Sequence, residues 1–284
     1  MAERLYMPCY LGQILKRFNF SFSKALGQNF LIDGNVVRSI VAGAGVEKED
    51  LVIEIGPGVG TLTEELSRRA KKVISIEIDK RLIPILEYTM MAYDNVEIIN
   101  ADAMEVDFVE LLNQNPGYSS VKLVANLPYN VGTAIVANIL ETNIKFDSMT
   151  VMLQKEVSDR MVAEPGNKQY GALSVLVGYK ANASAVLRVP KTVFIPKPKI
   201  DSMVVRLDLK HGKVEPYEAL MFKLVRAGFN QRRKTIMNSL TSGDVEISKD
   251  ELREVLSKLS IPENARAENL SIDDFSSIAK ELNG

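Results

Sequence analysis

The spacing of apolar and polar positions changes rhythm twice along the chain. Up to about residue 154, short apolar runs rich in β-branched residues recur: LVIEI from Leu51, KVISIEI from Lys72, VEIIN from Val96, VKLVAN from Val121 and MTVMLQ from Met149. Runs this apolar predict strands buried on both faces. Between them, TLTEELSRRA, RLIPILEYTMMAY, DFVELLNQN and GTAIVANILETN carry apolar residues at helical spacing and are long enough to cross over a sheet. Regular alternation of the two predicts an α/β architecture, a mostly parallel sheet with helices on both faces. Two later runs, ASAVLRV and SMVVRLDL, are joined by a proline-rich connection and predict an antiparallel pair at the sheet edge. After Gly212 only the helical period remains, in YEALMFKLVRAGF, RRKTIMNSL, KDELREVLSKL and IDDFSSIAKEL, with breaks near Asn230, Gly243 and Pro262. The expected division is an α/β domain over residues 1–211 and a small all-helical domain over residues 212–284.

Composition narrows the classes. With 46% hydrophobic and 25% charged residues over 284 positions, the chain is neither disordered nor a coiled coil. Its single cysteine, Cys9, cannot form an internal disulfide, and no Cys/His cluster has metal-ligand spacing. A reducing compartment and no metal are expected. No apolar run approaches the roughly 18 residues of a membrane span, so a soluble, cytoplasmic protein is expected. A formal net charge of −1 argues against a protein basic all over. The distribution is uneven, however. Lys180 to Lys210 holds seven basic residues against two acids, Arg226, Arg232, Arg233 and Lys234 follow with no acid among them, and from Asp244 onward ten acids face five bases. A basic middle beside an acidic tail concentrates positive potential where a polyanion would bind.

Candidate chemistry sits at the ends of the predicted strands. LVIEI runs into Gly56-Pro57-Gly58-Val59-Gly60, a turn in which glycines let a nucleotide-like ligand approach the backbone. The spacing is not the dinucleotide G-x-G-x-x-G, and Pro57 removes an N–H that a pyrophosphate cradle would use, so an uncharged or cationic ligand fits better. Glu77 closes the next strand, nineteen residues after Gly58, where an acid accepts hydrogen bonds from both ribose hydroxyls. Asp102, after the third strand, is placed to accept from an adenine amino group. Two acids and a glycine turn describe an adenosine pocket, and the positive sulfonium of S-adenosylmethionine suits its negative potential.

At the end of the fourth strand stands Asn126-Leu127-Pro128-Tyr129. The exocyclic amine of adenine is a poor nucleophile because its lone pair is delocalised into the ring. An Asn126 side-chain oxygen and a Leu127 backbone carbonyl that hold its two N–H groups would push the nitrogen toward tetrahedral geometry and aim the lone pair at a methyl donor. Pro128 fixes the turn and Tyr129 offers a face for the base. No general base is needed, because the nitrogen becomes acidic once alkylated and loses its proton to water; the lone His211 reads as a surface residue.

Together these stretches resemble the ribosomal RNA adenine N6,N6-dimethyltransferase family, its small-subunit, kasugamycin-sensitivity branch in particular. The similarity extends to KALGQNFL from Lys24, QKEVSDRM from Gln154, GNKQYGALS from Gly166, VFIPKPKIDS from Val193 and FNQRRKTIMNSL from Phe229, and so covers nearly the whole chain. The first twenty residues extend beyond the recognisable core, and the KAL stretch lacks the second lysine many members carry. The resemblance implies a Rossmann-like class I S-adenosylmethionine-dependent methyltransferase with a seven-stranded sheet, and a C-terminal RNA-binding domain. It implies cofactor contacts at Asn29, Leu31, Gly56, Gly58, Glu77, Ile78, Asp102, Ala103 and Asn126, with Phe194 a second aromatic wall opposite Tyr129. RNA phosphates would meet Lys24, Arg188, Lys191, Lys197, Lys199, Arg226, Arg232, Arg233 and Lys234. The implied partner is small-subunit rRNA in an immature subunit, met by a monomer with no metal, S-adenosylhomocysteine being the product.

Three rivals stand beside this reading. One is the large-subunit rRNA adenine methyltransferase of macrolide resistance, which VFIPKPKIDS and FNQRRKT disfavour. Another is a DNA adenine methyltransferase, for whose separate target-recognition region the chain is too short. The third is an assembly factor that kept the fold and lost the activity, against which the intact Glu77, Asp102, Asn126 and Tyr129 argue.

Overall fold

The computed structural model describes residues 4–142, 144–242, 245 and 247–284. The break expected near Gly243, and Asp244 where the acidic tail begins, lie outside the described residues. Along the chain run α1 (Pro8–Arg17), β1 (Phe30–Leu31), α2 (Gly34–Gly43), β2 (Asp50–Ile55), α3 (Thr61–Ser67), β3 (Lys72–Glu77), α4 (Ile83–Met90) and β4 (Val96–Asn100). Then come α5 (Phe108–Asn113), β5 (Ser120–Asn126), α6 (Gly132–Glu141), β6 (Ser148–Gln154), α7 (Lys155–Met161), α8 (Ala172–Lys180), β7 (Ala181–Val189), β8 (Phe194–Ile195) and β9 (Ser202–Leu209). Four more helices follow: α9 (Glu218–Asn230), α10 (Ile236–Leu240), α11 (Lys249–Lys258) and α12 (Ile272–Leu282).

Contacts divide the chain into two compact units, one running up to Ser158 and including Ala183–Leu209, the other made of Asp159–Asn182 and Lys210–Gly284. The last crossing falls within two residues of the expected 211/212 boundary. The second unit, however, also takes up Asp159–Asn182, which had been expected in the first; α8, an apolar helix no strand run announces, belongs with the helices that follow Lys210.

In the first unit, seven strands form one sheet in the order β4-β3-β2-β5-β6-β9-β7. β2 through β6 pair parallel, with Ile53 opposite Ile74 on one side and Leu123 on the other. β9 returns antiparallel to β6, with Val151 opposite Val205, and β7 lies outside it, so the two late runs do occupy the edge. The first three strands step one way from β2 and the next two step the other way. Chain direction therefore parts between the carboxyl ends of β2 and β5, which opens a crevice for a ligand.

Every residue of β2 is buried, as a strand covered on both faces requires, and its Asp50 carboxylate is neutralised there by Lys122 at 2.7 Å. β4, at the sheet edge, is only partly buried. Val37, Ile40 and Val41 of α2 and Leu62 and Leu66 of α3 close over Val52, Val73, Val124 and Val204. α1, which no sequence expectation covered, presents Leu11 and Ile14 to Val59, Leu82, Ile85 and Met90.

In the second unit, α9 buries Met221, Phe222, Leu224 and Val225, and α12 buries Phe275, Ile278 and Ala279. Their Phe229 and Phe275 rings lie 6.1 Å apart. α11 and α12 start on Ser248 and Ser271, whose hydroxyls accept from Glu251 and Asp274 N–H groups and satisfy the first turn.

Candidate active site

The crevice at the carboxyl ends of β2 and β5 opens into a cavity of about 930 Å³ that includes its solvent-filled mouth. Its glycine turn follows from the abrupt exit of the chain from β2: Gly56, Gly58 and Gly60 take φ of 69°, 63° and 90°, a region costly for any other residue. At Gly58 a Cβ would also stand 2.8 Å from the Phe30 ring, so the turn lies flush against that side chain. The Gly58 N–H donates to Glu77 Oε2 at 3.1 Å and Asp79 N–H donates to Glu77 Oε1 at 2.9 Å. Glu77 is 4% exposed, and burial pushes its carboxyl up to about 7 against the pull of those N–H bonds. Asp102 Oδ1 accepts from Met104 N–H at 2.9 Å, which tightens the turn after β4 and directs the carboxyl toward the cavity it lines.

Opposite, Asn126 ends β5. Its side-chain nitrogen donates to the Asn29 carbonyl at 2.9 Å, which commits the amide's donor side and leaves the amide oxygen as an acceptor. No described group donates to the Leu127 carbonyl, while Leu127 N–H is held by the Met152 carbonyl at 3.2 Å. The Pro128 carbonyl caps the next helix by accepting from Val131 and Gly132. Tyr129 lines the cavity, and burial pushes its phenol up.

Asn29, Leu31, Gly56, Gly58, Glu77, Ile78, Asp102, Ala103, Asn126, Leu127, Pro128 and Tyr129 all line this one cavity. Phe194 does not. Pairing of Leu31 with Phe194 between β1 and β8 turns the ring inward, where it is 2% exposed among Leu31, Val189 and Val204. In this structure it is a core side chain and not one of the cavity's lining residues.

The basic residues fare unequally. Lys24, Arg188, Lys197, Lys199, Arg226, Arg232, Arg233 and Lys234 are exposed, and Lys191 is half-buried. Arg188 is paired with Asp201 at 2.9 Å, and Lys191 Nζ donates to the Lys199 carbonyl at 3.1 Å. Arg232 is a tie within the second unit: it donates to the Tyr170 carbonyl at 2.9 Å and the Lys168 carbonyl at 3.3 Å, and lies 3.5 Å from Glu268. These three are in contact with protein groups, Arg188 and Arg232 while remaining exposed.

Several lining residues had no sequence expectation. Glu54 is 1% exposed and pushed up to about 7 by burial, although Thr63 and Ser75 hydroxyls donate to it at 2.6 and 3.0 Å. Its signal was a lone acid inside an otherwise apolar strand. Thr61 also lines the cavity; it is 5% exposed, and its buried hydroxyl has no hydrogen-bond partner among the described residues. Leu26, Gly27 and Gln28 close the cavity from the N-terminal side. Gln28 is held there by Asp79, 2.7 Å away, and its own oxygen accepts from Ser23 N–H at 2.8 Å. Among the described residues no group of three or more His, Cys, Asp or Glu could hold a metal ion, and no helix is long and apolar enough to cross a membrane.

A mostly parallel sheet reversed only near its edge, with its crevice lined by a buried acid at the end of β3 and an Asn-Leu-Pro-Tyr turn, defines a Rossmann-like methyltransferase. Solved structures agree. A dimethyladenosine transferase from Plasmodium falciparum superposes with a TM-score of 0.73 at 28% identity, over 89% of this chain and 97% of that one. The 23S rRNA methyltransferase ErmE, at 24% identity and a TM-score of 0.67, shares the fold over 90% of this chain and all of its own. The chain belongs to the ribosomal RNA adenine dimethylase family, whose model matches residues 19–284. Among curated relatives, ribosomal RNA small subunit methyltransferase A of Alkaliphilus oremlandii is 47% identical over 99% of this chain and 98% of its own. The protein of the same name from Clostridioides difficile is 46% identical over the same shares.

Proposed function

We propose that this cavity binds S-adenosylmethionine and that the chain dimethylates N6 of two neighbouring adenosines in the 3′-terminal hairpin of small-subunit (16S) rRNA. It would act as a cytoplasmic monomer on an immature subunit. The observation that carries the reading is the pair of acceptors at the Asn-Leu-Pro-Tyr turn, the Asn126 side-chain oxygen and the Leu127 carbonyl, neither engaged by a described donor. The lining fits the cofactor: Glu77 to accept from ribose hydroxyls, Asp102 to accept from an adenine amine, and three glycines that leave room for a close-lying ligand.

When bound, the cofactor supplies an electrophilic methyl group on a sulfonium. The protein's part is positional. Asn126 and Leu127 accept the two N6 hydrogens, which draws the nitrogen lone pair out of conjugation and aims it away from the ring plane. Tyr129 supports the flipped base by stacking, worth about 1–3 kcal/mol per base. The proton displaced from the alkylated nitrogen passes to water, so no side chain acts as a base.

The test is transfer of labelled methyl to small subunits that lack the modification, with large-subunit RNA and duplex DNA alongside. Label recovered as N6,N6-dimethyladenosine near the small-subunit 3′ end is the expected result. Label confined to large-subunit RNA would install the resistance-type activity, and tight subunit binding without transfer would leave an assembly factor.

A further inference from the structure

The Asn-Leu-Pro-Tyr turn is fastened to the sheet at two places. It leaves β5 at Asn126, which lies opposite Met152 of β6, and Leu127 N–H is held by the Met152 carbonyl. The turn then crosses the end of β6 and reaches the strand beyond. That strand, β9, begins at Ser202 opposite Gln154. The Tyr129 and Ser202 hydroxyl oxygens are 2.5 Å apart, and Ser202 is fully buried.

Ser202 is itself held firmly. The Asp201 carbonyl accepts from Lys155 N–H at 3.0 Å, and the Asp201 carboxylate accepts from Lys191 N–H at 3.1 Å and from Arg188 at 2.9 Å. A tyrosine ring pivots about two torsions; a hydrogen bond at its far end fixes the first, and because a phenolic O–H lies in the ring plane, the direction of Ser202 biases the second. The spacing between β5 and β9, set by the ladder through β6, thereby becomes the spacing between the Asn126 amide and the Tyr129 face.

We propose that Ser202 is a positioning residue for methyl transfer: its hydroxyl fixes the Tyr129 ring so that a stacked adenine delivers N6 to Asn126 and Leu127. This rests on the reading of Tyr129 as the base platform. The second transfer depends on the anchor more than the first. A monomethylated N6 has one hydrogen left for two acceptors, so its alignment is governed mainly by the plane of the base. Loss of the anchor therefore slows the second methyl more and lets N6-monomethyladenosine accumulate.

The experiment compares Ser202→Ala, Tyr129→Phe, the double variant and Tyr129→Ala in single-turnover transfer to unmodified small subunits. Cofactor affinity by calorimetry and thermal unfolding report on the fold. Ser202→Ala and Tyr129→Phe should each slow transfer about tenfold, raise the monomethyl share, leave cofactor affinity within twofold, and combine with no further loss. Tyr129→Phe removes the same bond without touching β9, so it stands in if Ser202→Ala fails to fold. Wild-type rates and product ratios in Tyr129→Phe, or additive losses in the double variant, would overturn the anchor. If those appear while Tyr129→Ala is inactive, the platform reading survives without the anchor; if Tyr129→Ala transfers normally, the platform itself is wrong and the anchor falls with it.

Discussion

At the residue scale, Asn126 and Glu77 carry separable jobs. Asn126 ties Asn29 to β5 and, in the proposed function, contributes one acceptor to the target amine, so Asn126→Ala should lower transfer by about 100-fold or more while rRNA binding stays within a few-fold. Loss of both together would mean that Asn126 serves RNA binding. Glu77 makes a pH prediction. Its carboxyl is raised from 4.5 to about 7 because burial disfavours the charge. Folding therefore gains from this group fully below pH 4.5, and that gain is lost as pH rises through about 7. In the proposed function ribose hydroxyls donate to the ionised form, so cofactor affinity should move the other way and increase as pH rises through about 7, with proton release on binding. Calorimetry in two buffers of different ionisation enthalpy measures that proton. Glu77→Gln should bind about 10- to 100-fold more weakly, since a hydrogen bond to a charged group is worth about 1.5–3 kcal/mol, and should lose the pH step. If the step persists in Glu77→Gln, it belongs to Glu54, which is raised to the same value nearby.

At the scale of elements, the segment leading into β1 behaves as a strap over the cavity. Gln28 joins it to Asp79, while Arg81 grips Asp79 at 2.6 Å, reaches the Ser21 carbonyl at 3.3 Å and lies over the Phe20 ring. Asp79 also donates its N–H to Glu77, so the strap and the buried acid of the cavity share one residue. Gln28→Ala removes two bonds, the one to Asp79 and the one from Ser23 N–H, the first charge-assisted and worth about 1.5–3 kcal/mol, which should weaken cofactor binding about tenfold or more and speed hydrogen exchange over residues 21–28. Transfer at saturating cofactor should stay within twofold. Unchanged cofactor affinity would show that the strap does not depend on Gln28. None of this was legible in the sequence, and the reason is physical. A parallel strand such as β2 announces itself by a continuous apolar run, and the residues at its carboxyl end follow from topology, which is why the glycine turn, Glu77, Asp102 and Asn126 were readable. β1 and β8 are two residues each, too short for any period, and their pairing across 163 positions is what turned Phe194 inward. α1 escaped because Gln13 and Lys16 interrupt its apolar residues in sequence but lie on its solvent side, while Leu11 and Ile14 face inward. Glu54 and Ser202 were invisible for a further reason: a buried acid in a strand and a serine at a strand start acquire meaning only from the groups folded against them.

For the whole molecule, a net charge of −1 gives no general attraction for RNA, so binding must rest on local cations that protein groups do not already hold. The sequence pointed to a basic run without telling which members were spent. Arg232 donates to two backbone carbonyls and flanks Glu268, whereas Arg233 and Lys234, exposed as it is, have no ion pair among the described residues. This separates two outcomes that charge counting merges. Reversing Arg233 and Lys234 together to Glu should weaken rRNA binding, and should flatten the slope of log affinity against log salt by about 1.5 if each neutralises one phosphate, with thermal stability unchanged. Arg232→Glu should instead lower the melting temperature, because the Tyr170 and Lys168 carbonyls lose a donor and Glu268 gains a like charge, and its effect on the salt slope should be the smaller of the two. Binding titrations at several salt concentrations, alongside thermal unfolding, decide it. An unchanged slope in the double reversal would place the RNA face elsewhere, with Lys24, Lys197 and Lys199, exposed in the first unit, the next cations to reverse.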